Sequence, residues 1–509
     1  MSATELICAI DQGTQSSRVY FFNKSFQAVS FAQVSFTQIT PEAGWCEHDP
    51  LEIWLTVSEC IVKALQEAQS RLGPVDVKAV GLTNQRETTV VWHKTTGLPL
   101  YNGIVWMDIR TRDLCKRLEE EVGSKEYFRD VTGLPISTYF SALKFKWLYE
   151  NVEAVKKAVD EDMACFGTID SWLIYQLTGG AGKGVHVTDV TNASRTMLMN
   201  LTTCQWHDPY LPLFNMTTSA LPKILSNAEV YGYVDEGVLA GVPISGCLGD
   251  QMAAMLGQSC APGEAKNTYG TGCFTLLNTG PAPVPSRHGL LTTVSYKLGP
   301  EAVTQYALEG AVAIAGMGIS WLRDNMRMVE SPEEASDLAA SVPDTGGVYF
   351  VPAFSGLLAP HWDDSARGTI VGLTGFSNRA HIARAMFEAI CFQTKEVLEA
   401  MRKDVDRDGC LLLLRVDGGA ARNDLLMQMQ ADLLQVPVQR PHFQETTALG
   451  AALAAGLGVG FWNEEQVMTW QAYNTTEFKP LISNEDTEHR YSHWKKAVEK
   501  SHDQADLAT

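Results

Sequence analysis

Three short glycine turns, each carrying a carboxylate or a hydroxyl, hold the residues of this chain best suited to chemistry. They are Asp11-Gln12-Gly13-Thr14, Gly270-Thr271-Gly272 and Asp417-Gly418-Gly419-Ala420. Tight glycine turns present backbone N–H groups to a polyanion, small hydroxyls add donors, and carboxylates can take a divalent cation. That is the equipment of phosphoryl transfer. The chain contains no G-x-x-x-x-G-K-[ST] loop and no protein-kinase glycine loop, so neither of those phosphate cradles applies. The third turn leaves an apolar strand and heads into a helix, where backbone can approach a nucleotide closely. A further carboxylate, Asp250, stands at a helix mouth after Gly246-Cys247-Leu248-Gly249. An aspartate there can be a simple cap as well as a base. Each turn alone is ordinary; three in this order predict a nucleotide cleft.

These residues need elements to position them. Residues 6–10 read as a buried strand and 18–22 as its hairpin partner, with the polar turn 11–17 between. Residues 28–36 form a third strand-like run. Asp49 and Pro50 then open an amphipathic helix to about Arg71, with Asp49 as N-cap and Pro50 at the first helical position. Residues 77–83 and 88–92 read as further strands. A similar arrangement starts again at 266–269: strand, Gly-Thr turn, then the apolar run 275–278. Gly13 and Gly270 lie 257 residues apart, about half of the chain. Such spacing suggests a duplicated architecture whose equivalent turns face one cleft. Beyond it, strands at 348–352 and 411–416 alternate with helices at 381–402, 424–434 and 446–457, so the expected class is α/β with helix-covered sheets. At 509 residues the chain exceeds one ordinary core. The division is placed around Ala261-Pro262-Gly263, giving domains 1–258 and 259–509. No Pro- or Ser-rich linker separates them, so close coupling is expected.

The formal charge of −19 makes nucleic acid and anionic membranes poor partners. It also opposes an anionic co-substrate, so a nucleotide site here requires local donors and a divalent cation. Hydrophobic residues at 45% and charged ones at 19% fit a folded globular chain. Eleven cysteines are scattered without a C-x-x-C pair, which offers no zinc spacing and predicts reduced, buried thiols in a cytoplasmic protein. The polar run 1–5 leads straight into a strand, so no secretory leader is expected. The apolar stretch 451–461 is Gly-rich and falls short of the ~18 residues that span a membrane.

Other stretches join the three turns. They include Asn84-Gln85-Arg86-Glu87-Thr88, residues 188–195, 266–274, Ala307-Leu308-Glu309-Gly310, 350–357, 415–419 and 445–450. Two longer signatures accompany them, one from Tyr139 through Lys144 and Trp147 to Asn151, the other from Gly368 through Gly372 and His381 to Glu388. Over essentially its whole length the chain resembles the FGGY carbohydrate kinases. That resemblance implies two actin-like (ribonuclease H-like) ATPase domains, each a mixed sheet flanked by helices, with a cleft between them. It implies ATP as phosphoryl donor, Mg²⁺ as cofactor, glycerol as acceptor, domain closure, and a homodimer or homotetramer.

The resemblance also implies roles. Arg86 and Glu87 would contact the glycerol hydroxyls, the donor fork and the acceptor together satisfying a group that both gives and takes hydrogen bonds. In a strand two adjacent residues point to opposite faces, so the pair is expected where the strand ends. Tyr139 would add a phenolic hydrogen bond, and Trp106 and Phe274 would pack on the CH groups. Asp250 would be the general base, with Gln251 holding the substrate beside it. Asp11, with Asp250 nearby, would face the Mg²⁺, through water. Thr14, Gln15, Ser16 and Arg18 match the first phosphate hairpin and Thr271 the second. Gly316, Gly419 and Asn423 match positions lining the nucleotide pocket. Ser320 stands where bacterial members carry Gln, which leaves that nucleotide contact open. Residues 235–241, before Pro243-Ile244-Ser245-Gly246, carry no basic residue, so a fructose 1,6-bisphosphate site is not expected. A kinase of another polyol or sugar, or an actin-like ATPase without a small acceptor, are the alternatives.

Overall fold

The computed structural model describes residues 3–405, 411–470 and 475–505; Met1 and Ser2, at the head of the polar N-terminal run, lie outside the described residues. β1 (Thr4–Gln12) and β2 (Ser16–Phe22) form an antiparallel hairpin, and β3 (Ala28–Ser35) adds to β2. β1 is buried from Leu6 onward, as expected of a strand covered on both faces. α1 (Pro50–Leu72) starts as predicted: the Asp49 carboxylate accepts from the Leu51 N–H at 2.8 Å, and Pro50 occupies the first turn. It ends at Gly73, whose φ of 77° suits a residue without Cβ.

β4 (Val75–Asn84) lies parallel to β1, β5 (Gly232–Tyr233) is a short edge strand, and β6 (Pro243–Gly249) lies parallel to β4. The first sheet therefore runs β5-β6-β4-β1-β2-β3. α2 (Asp250–Gly257) follows β6 directly. Between β4 and β6 the chain builds a separate body, with its own core around Phe128, Phe140, Phe145 and Phe166. It includes a four-stranded sheet to which Thr89–His93 and Ala164–Thr168 contribute. Thr88 stays out of that strand because its hydroxyl donates to Gln85 Oε1 at 2.9 Å.

The second half repeats the first. β7 (Ala265–Tyr269) and β8 (Cys273–Gly280) make the second hairpin; β9 (Leu291–Tyr296) and β10 (Gln305–Val312) extend it. α3 (Gly316–Asp324) and the long α4 (Arg379–Val405) follow. β11 (Leu414–Asp417) runs parallel to β7; α5 (Asp424–Leu434) leads to β12 (Val438–Pro441), parallel to β11. α6 (Thr446–Gly458) and the edge strand β13 (Thr475–Phe478) complete it. The sheet order is β9-β10-β8-β7-β11-β12-β13. Five strands thus correspond in order and direction, β3-β2-β1-β4-β6 to β10-β8-β7-β11-β12, and the two Gly-Thr turns hold equivalent places in the two sheets.

The helix expected at 424–434 is present, and a short passage joins it to Asp417. Gly418, at φ 88°, turns the chain into a short 3₁₀ segment (Gly419–Arg422), and only after extended Asn423 does α5 begin.

α6 joins the halves. Rich in Ala and apolar throughout, it packs on β1, β4, β6 and α2, where its alanines share a core with Ile7, Ala9, Leu248 and Met252. The approach is backbone to backbone. A Cβ at Gly450 would stand 1.9 Å from the Ala253 carbonyl oxygen, and one at Gly257 the same distance from that of Thr446. At Gly81 the distance to the Ala451 carbonyl oxygen would be 2.1 Å. Only glycine fits such crossings.

Candidate functional site

The site is assembled where β4 and β6 end side by side, Asn84 opposite Gly249. Beyond β4, Glu87 adopts φ 59°, a left-handed conformation that costs a non-glycine residue about 1–3 kcal/mol. Surroundings hold it there: the Glu87 carbonyl accepts from Ser141 Oγ and Thr89 Oγ1, both at 3.1 Å, and its carboxylate accepts from Arg195 Nε at 2.5 Å. The expected break at the strand end is present, and it separates the Arg86 and Glu87 side chains.

Arg86 is buried. Its Nη1 and Nη2 donate to Glu309 at 2.6 and 2.8 Å, and its Nε lies 3.1 Å from Asp250 Oδ1. Arg195 Nη2 donates to the same Glu309 at 3.2 Å. Arg195 arrives on a pinned segment. Asp189 accepts from Thr191 N, Asn192 Nδ2 and Asn227 Nδ2 at 2.6, 2.6 and 2.9 Å, and Asn192 pairs reciprocally with Asn84 at 3.0 Å. Five charges therefore alternate in a buried chain: Glu87, Arg195, Glu309, Arg86, Asp250. Removing one partner of such a pair costs roughly 3–5 kcal/mol, because the other charge is stranded away from water.

Asp250 opens α2, its side chain 31% exposed, and is the most open member of the chain. Burial raises its pKa, opposed by Arg86 and Lys266, with Asp11 adding to the rise. Gln251 is taken up by Lys266, whose Nζ donates to Gln251 Oε1 and, at 2.8 Å, to Thr268 Oγ1. Burial pulls that lysine's pKa down, against Asp417 and Asp250.

An aromatic wall closes the other side. Trp106 meets Tyr139 and Phe274 edge-on, with ring centroids 5.7 and 6.0 Å apart, so the contact to Phe274 crosses from one half to the other. Trp106 also has a polar duty, its Nε1 donating to Thr14 Oγ1 at 2.9 Å. The backbone at Tyr139 is held by Lys144, which donates to the Thr138 and Tyr139 carbonyls; burial lowers the pKa of this lysine to about 8.

On the first hairpin, Asp11 is buried and lies 3.6 Å from Arg18, which also pairs with Glu445 at 3.0 Å across the seam. Burial raises the pKa of Asp11 and Arg18 opposes it. Ser16 Oγ accepts from Gln33 at 3.0 Å, and the Gln15 carbonyl from Phe36 N at 3.4 Å. On the second hairpin, the Thr271 carbonyl accepts from Ala315 N and Met317 N at 2.9 and 3.1 Å, so the hairpin tip and the start of α3 are one unit. A Cβ at Gly316 would stand 2.7 Å from the Gly270 carbonyl oxygen. Ser320 lies one turn further along α3. Gly419 faces open space, and Asn423 caps α5 through Leu426 N at 3.0 Å. Among the described residues no hydrogen bond joins Thr14 to Thr271. Asp11 and Asp250 offer hard oxygen donors beside the hairpins, a donor set suited to Mg²⁺ held through water.

Glu309, Arg195, Lys266 and Glu445 carry much of this geometry, yet sequence reasoning assigned them no role. A signal was present. Glu309 is a lone charge in an apolar strand, and a fully buried carboxylate is rare unless paired.

Comparisons with known proteins agree with the geometry. Residues 6–257 match the family model for the N-terminal domain of the FGGY family of carbohydrate kinases, and residues 265–459 match that for its C-terminal domain. The chain is 55% identical over 514 residues to a glycerol kinase of Arabidopsis thaliana, covering 99% of this chain and 98% of the relative. A glycerol kinase of Brucella anthropi is 52% identical, over 98% of this chain and 99% of its own. The crystal structure of Plasmodium falciparum glycerol kinase with ADP superimposes with a TM-score of 0.92 at 38% identity, covering 98% of this chain and 99% of that one. A gluconate kinase from Lactobacillus acidophilus, at 21% identity and TM-score 0.84 over 98% of this chain and 97% of its own, shares the fold.

Proposed function

The chain belongs to the FGGY family of carbohydrate kinases, and from that premise we propose that it is a glycerol kinase, moving the γ-phosphoryl group of ATP to a terminal hydroxyl of glycerol. The products are sn-glycerol 3-phosphate and ADP. The observation that carries this reading is Asp250: a partly open carboxylate, raised in pKa by burial, beside Arg86 and at the junction of the two halves.

Glycerol sits between Asp250 and the wall of Trp106, Tyr139 and Phe274, with Arg86, Glu87 and Gln251 reaching its hydroxyls. Asp250 accepts the hydroxyl proton as the oxygen–phosphorus bond forms and the bond to the ADP oxygen breaks. Thr14, Gln15 and Ser16 on the first hairpin and Thr271 on the second flank the phosphates, and Arg18 faces the transferring group. Gly316, Ser320, Gly419 and Asn423 line the nucleotide pocket. A bound Mg²⁺ supplies charge neutralisation on the phosphates, and Asp11 and Asp250 would hold it. The glycerol side belongs to domain 1–258 and the nucleotide side to domain 259–509. Closure of the two keeps water from the phosphoryl group. No helix among the described residues is long and apolar enough to cross a membrane, and their ten cysteines are free thiols, nine of them buried. Both fit a cytoplasmic enzyme, here taken to be a homo-oligomer.

The test is ADP formation with ATP and Mg²⁺ across glycerol, xylulose, ribulose and gluconate. Glycerol is expected to dominate. Stimulation by a sugar alone would favour another kinase of the family, and ADP formation indifferent to every acceptor would favour an actin-like ATPase.

The pH dependence follows from Asp250. It must be ionised to accept the proton, so kcat/KM falls as pH drops through its pKa, and the midpoint of that acid limb is expected above the ordinary aspartate value of 3.8. A midpoint at or below it would contradict the role of burial.

A further inference from the structure

The geometry points to Glu309 as the positioning residue for the acceptor site, a carboxylate from the second half that sets the orientation of Arg86. This inference rests on the kinase reading above and deepens it.

In the alternating chain, Glu87, Arg195, Arg86 and Asp250 come from the first half, and Glu309 comes from β10 of the second sheet. Glu309 is 1% exposed, and both of its oxygens are taken by Arg86 and Arg195. What it does is bind the two Nη atoms of Arg86 as a fork, which fixes the guanidinium plane. Nη1 spends its other hydrogen on Met252 Sδ at 3.4 Å, and the second Nη2 hydrogen has no protein partner among the described residues. That hydrogen is the one left to direct at an acceptor hydroxyl.

The fork also decides how Arg86 meets Asp250. Asp250 is ion-paired with Arg86 at Nε, 3.1 Å away. Without Glu309 the guanidinium is released to swing onto Asp250 and form the fork there, which turns its free Nη2 hydrogen away from the acceptor hydroxyl. Glu309 thus competes with the base for the same cation. It remains ionised while doing so. Burial works to raise its pKa, but Arg195 and Arg86 override that and bring it down to about 2. Arg86, Lys266 and Asp11 face Asp250, while Arg86, Arg195, Lys266, Glu87 and Tyr139 surround the Glu309 side of the chain.

Two variants test this, each beside wild type, with ADP binding by calorimetry as the measure of folding. Glu309→Gln removes the charge; Glu309→Asp keeps it but withdraws it by one methylene. Both are expected to raise KM for glycerol by about tenfold or more with KM for ATP within about twofold, since only acceptor orientation is disturbed. Variants that bind ADP yet keep the wild-type KM for glycerol overturn the inference. So does loss of ADP binding in both, which would make Glu309 a folding element only. A wild-type protein without glycerol-stimulated ADP formation removes the kinase reading, and this inference with it.

Discussion

Asp250→Asn lowers kcat by about 10²–10⁴-fold, the usual contribution of a general base, while glycerol and nucleotide still bind. The substitution keeps the shape of the side chain and its place at the start of α2. It removes the proton acceptor and one negative neighbour of Arg86. Arg86 does not become a stranded charge, because Glu309 still takes both of its Nη atoms at 2.6 and 2.8 Å. Binding therefore survives where chemistry does not, and steady-state kinetics should show a kcat loss far larger than any change in KM for glycerol. Turnover near wild type would remove Asp250 from the base role. A large rise in KM at unchanged kcat would make it a binding residue instead.

Gly450→Ala is expected to damage both stability and turnover, although Gly450 touches no substrate. The added Cβ would stand 1.9 Å from the Ala253 carbonyl oxygen. Ordinary carbon contacts lie near 3.5–4.0 Å, so α2 or α6 must move by roughly 1.5 Å. Because the obstacle is backbone, no rotamer change relieves it. Overpacking of this kind costs about 1–3 kcal/mol, or more where the surroundings are rigid. Displacement of α2 also carries Asp250 and Gln251 away from their partners, and a 1 Å error in a reacting group can cost about 10²-fold in rate. Gly375→Ala is the control: nothing lies within 4 Å of its Cβ position. Calorimetry and kcat on the two variants should separate widely. A Gly450→Ala enzyme as stable and as fast as the Gly375→Ala enzyme would refute the account of this crossing.

Much of the fold was legible because it is written locally. The Asp49-Pro50 start of α1, the hairpins at Gly13 and Gly270, and the Ala-rich α6 all follow from neighbouring residues. The repeat of strand order was visible only as a spacing between two turns, and the sheets give it content. The candidate site was legible as a set of positions, but not as a set of partners. Arg86 and Glu309 are 223 positions apart, and Arg18 and Glu445 are 427 apart. Which charges meet depends on two sheets closing on each other, and nothing near Arg86 in the chain names its counter-ion. Trp106 shows the same limit. It was expected as an apolar wall, and its indole N–H on Thr14 is a contact made 92 positions away.

The chain leaves the first sheet at Asn84 and returns to it at the edge strand β5 and then at Pro243, the start of β6, which lies beside β4. In the second sheet the equivalent passage, from Asp417 to Val438, spends its residues on little more than one helix. Arg86 to Tyr139 and Arg195, which the proposed reading puts on the acceptor side, therefore ride on one long detour between two neighbouring parallel strands. A lineage could rewrite that detour for a different sugar or polyol while both phosphate hairpins and the Gly450 crossing stayed untouched. On the proposed reading, the donor machinery is the inherited chassis, and the acceptor preference is a replaceable cassette carried between two neighbouring strands.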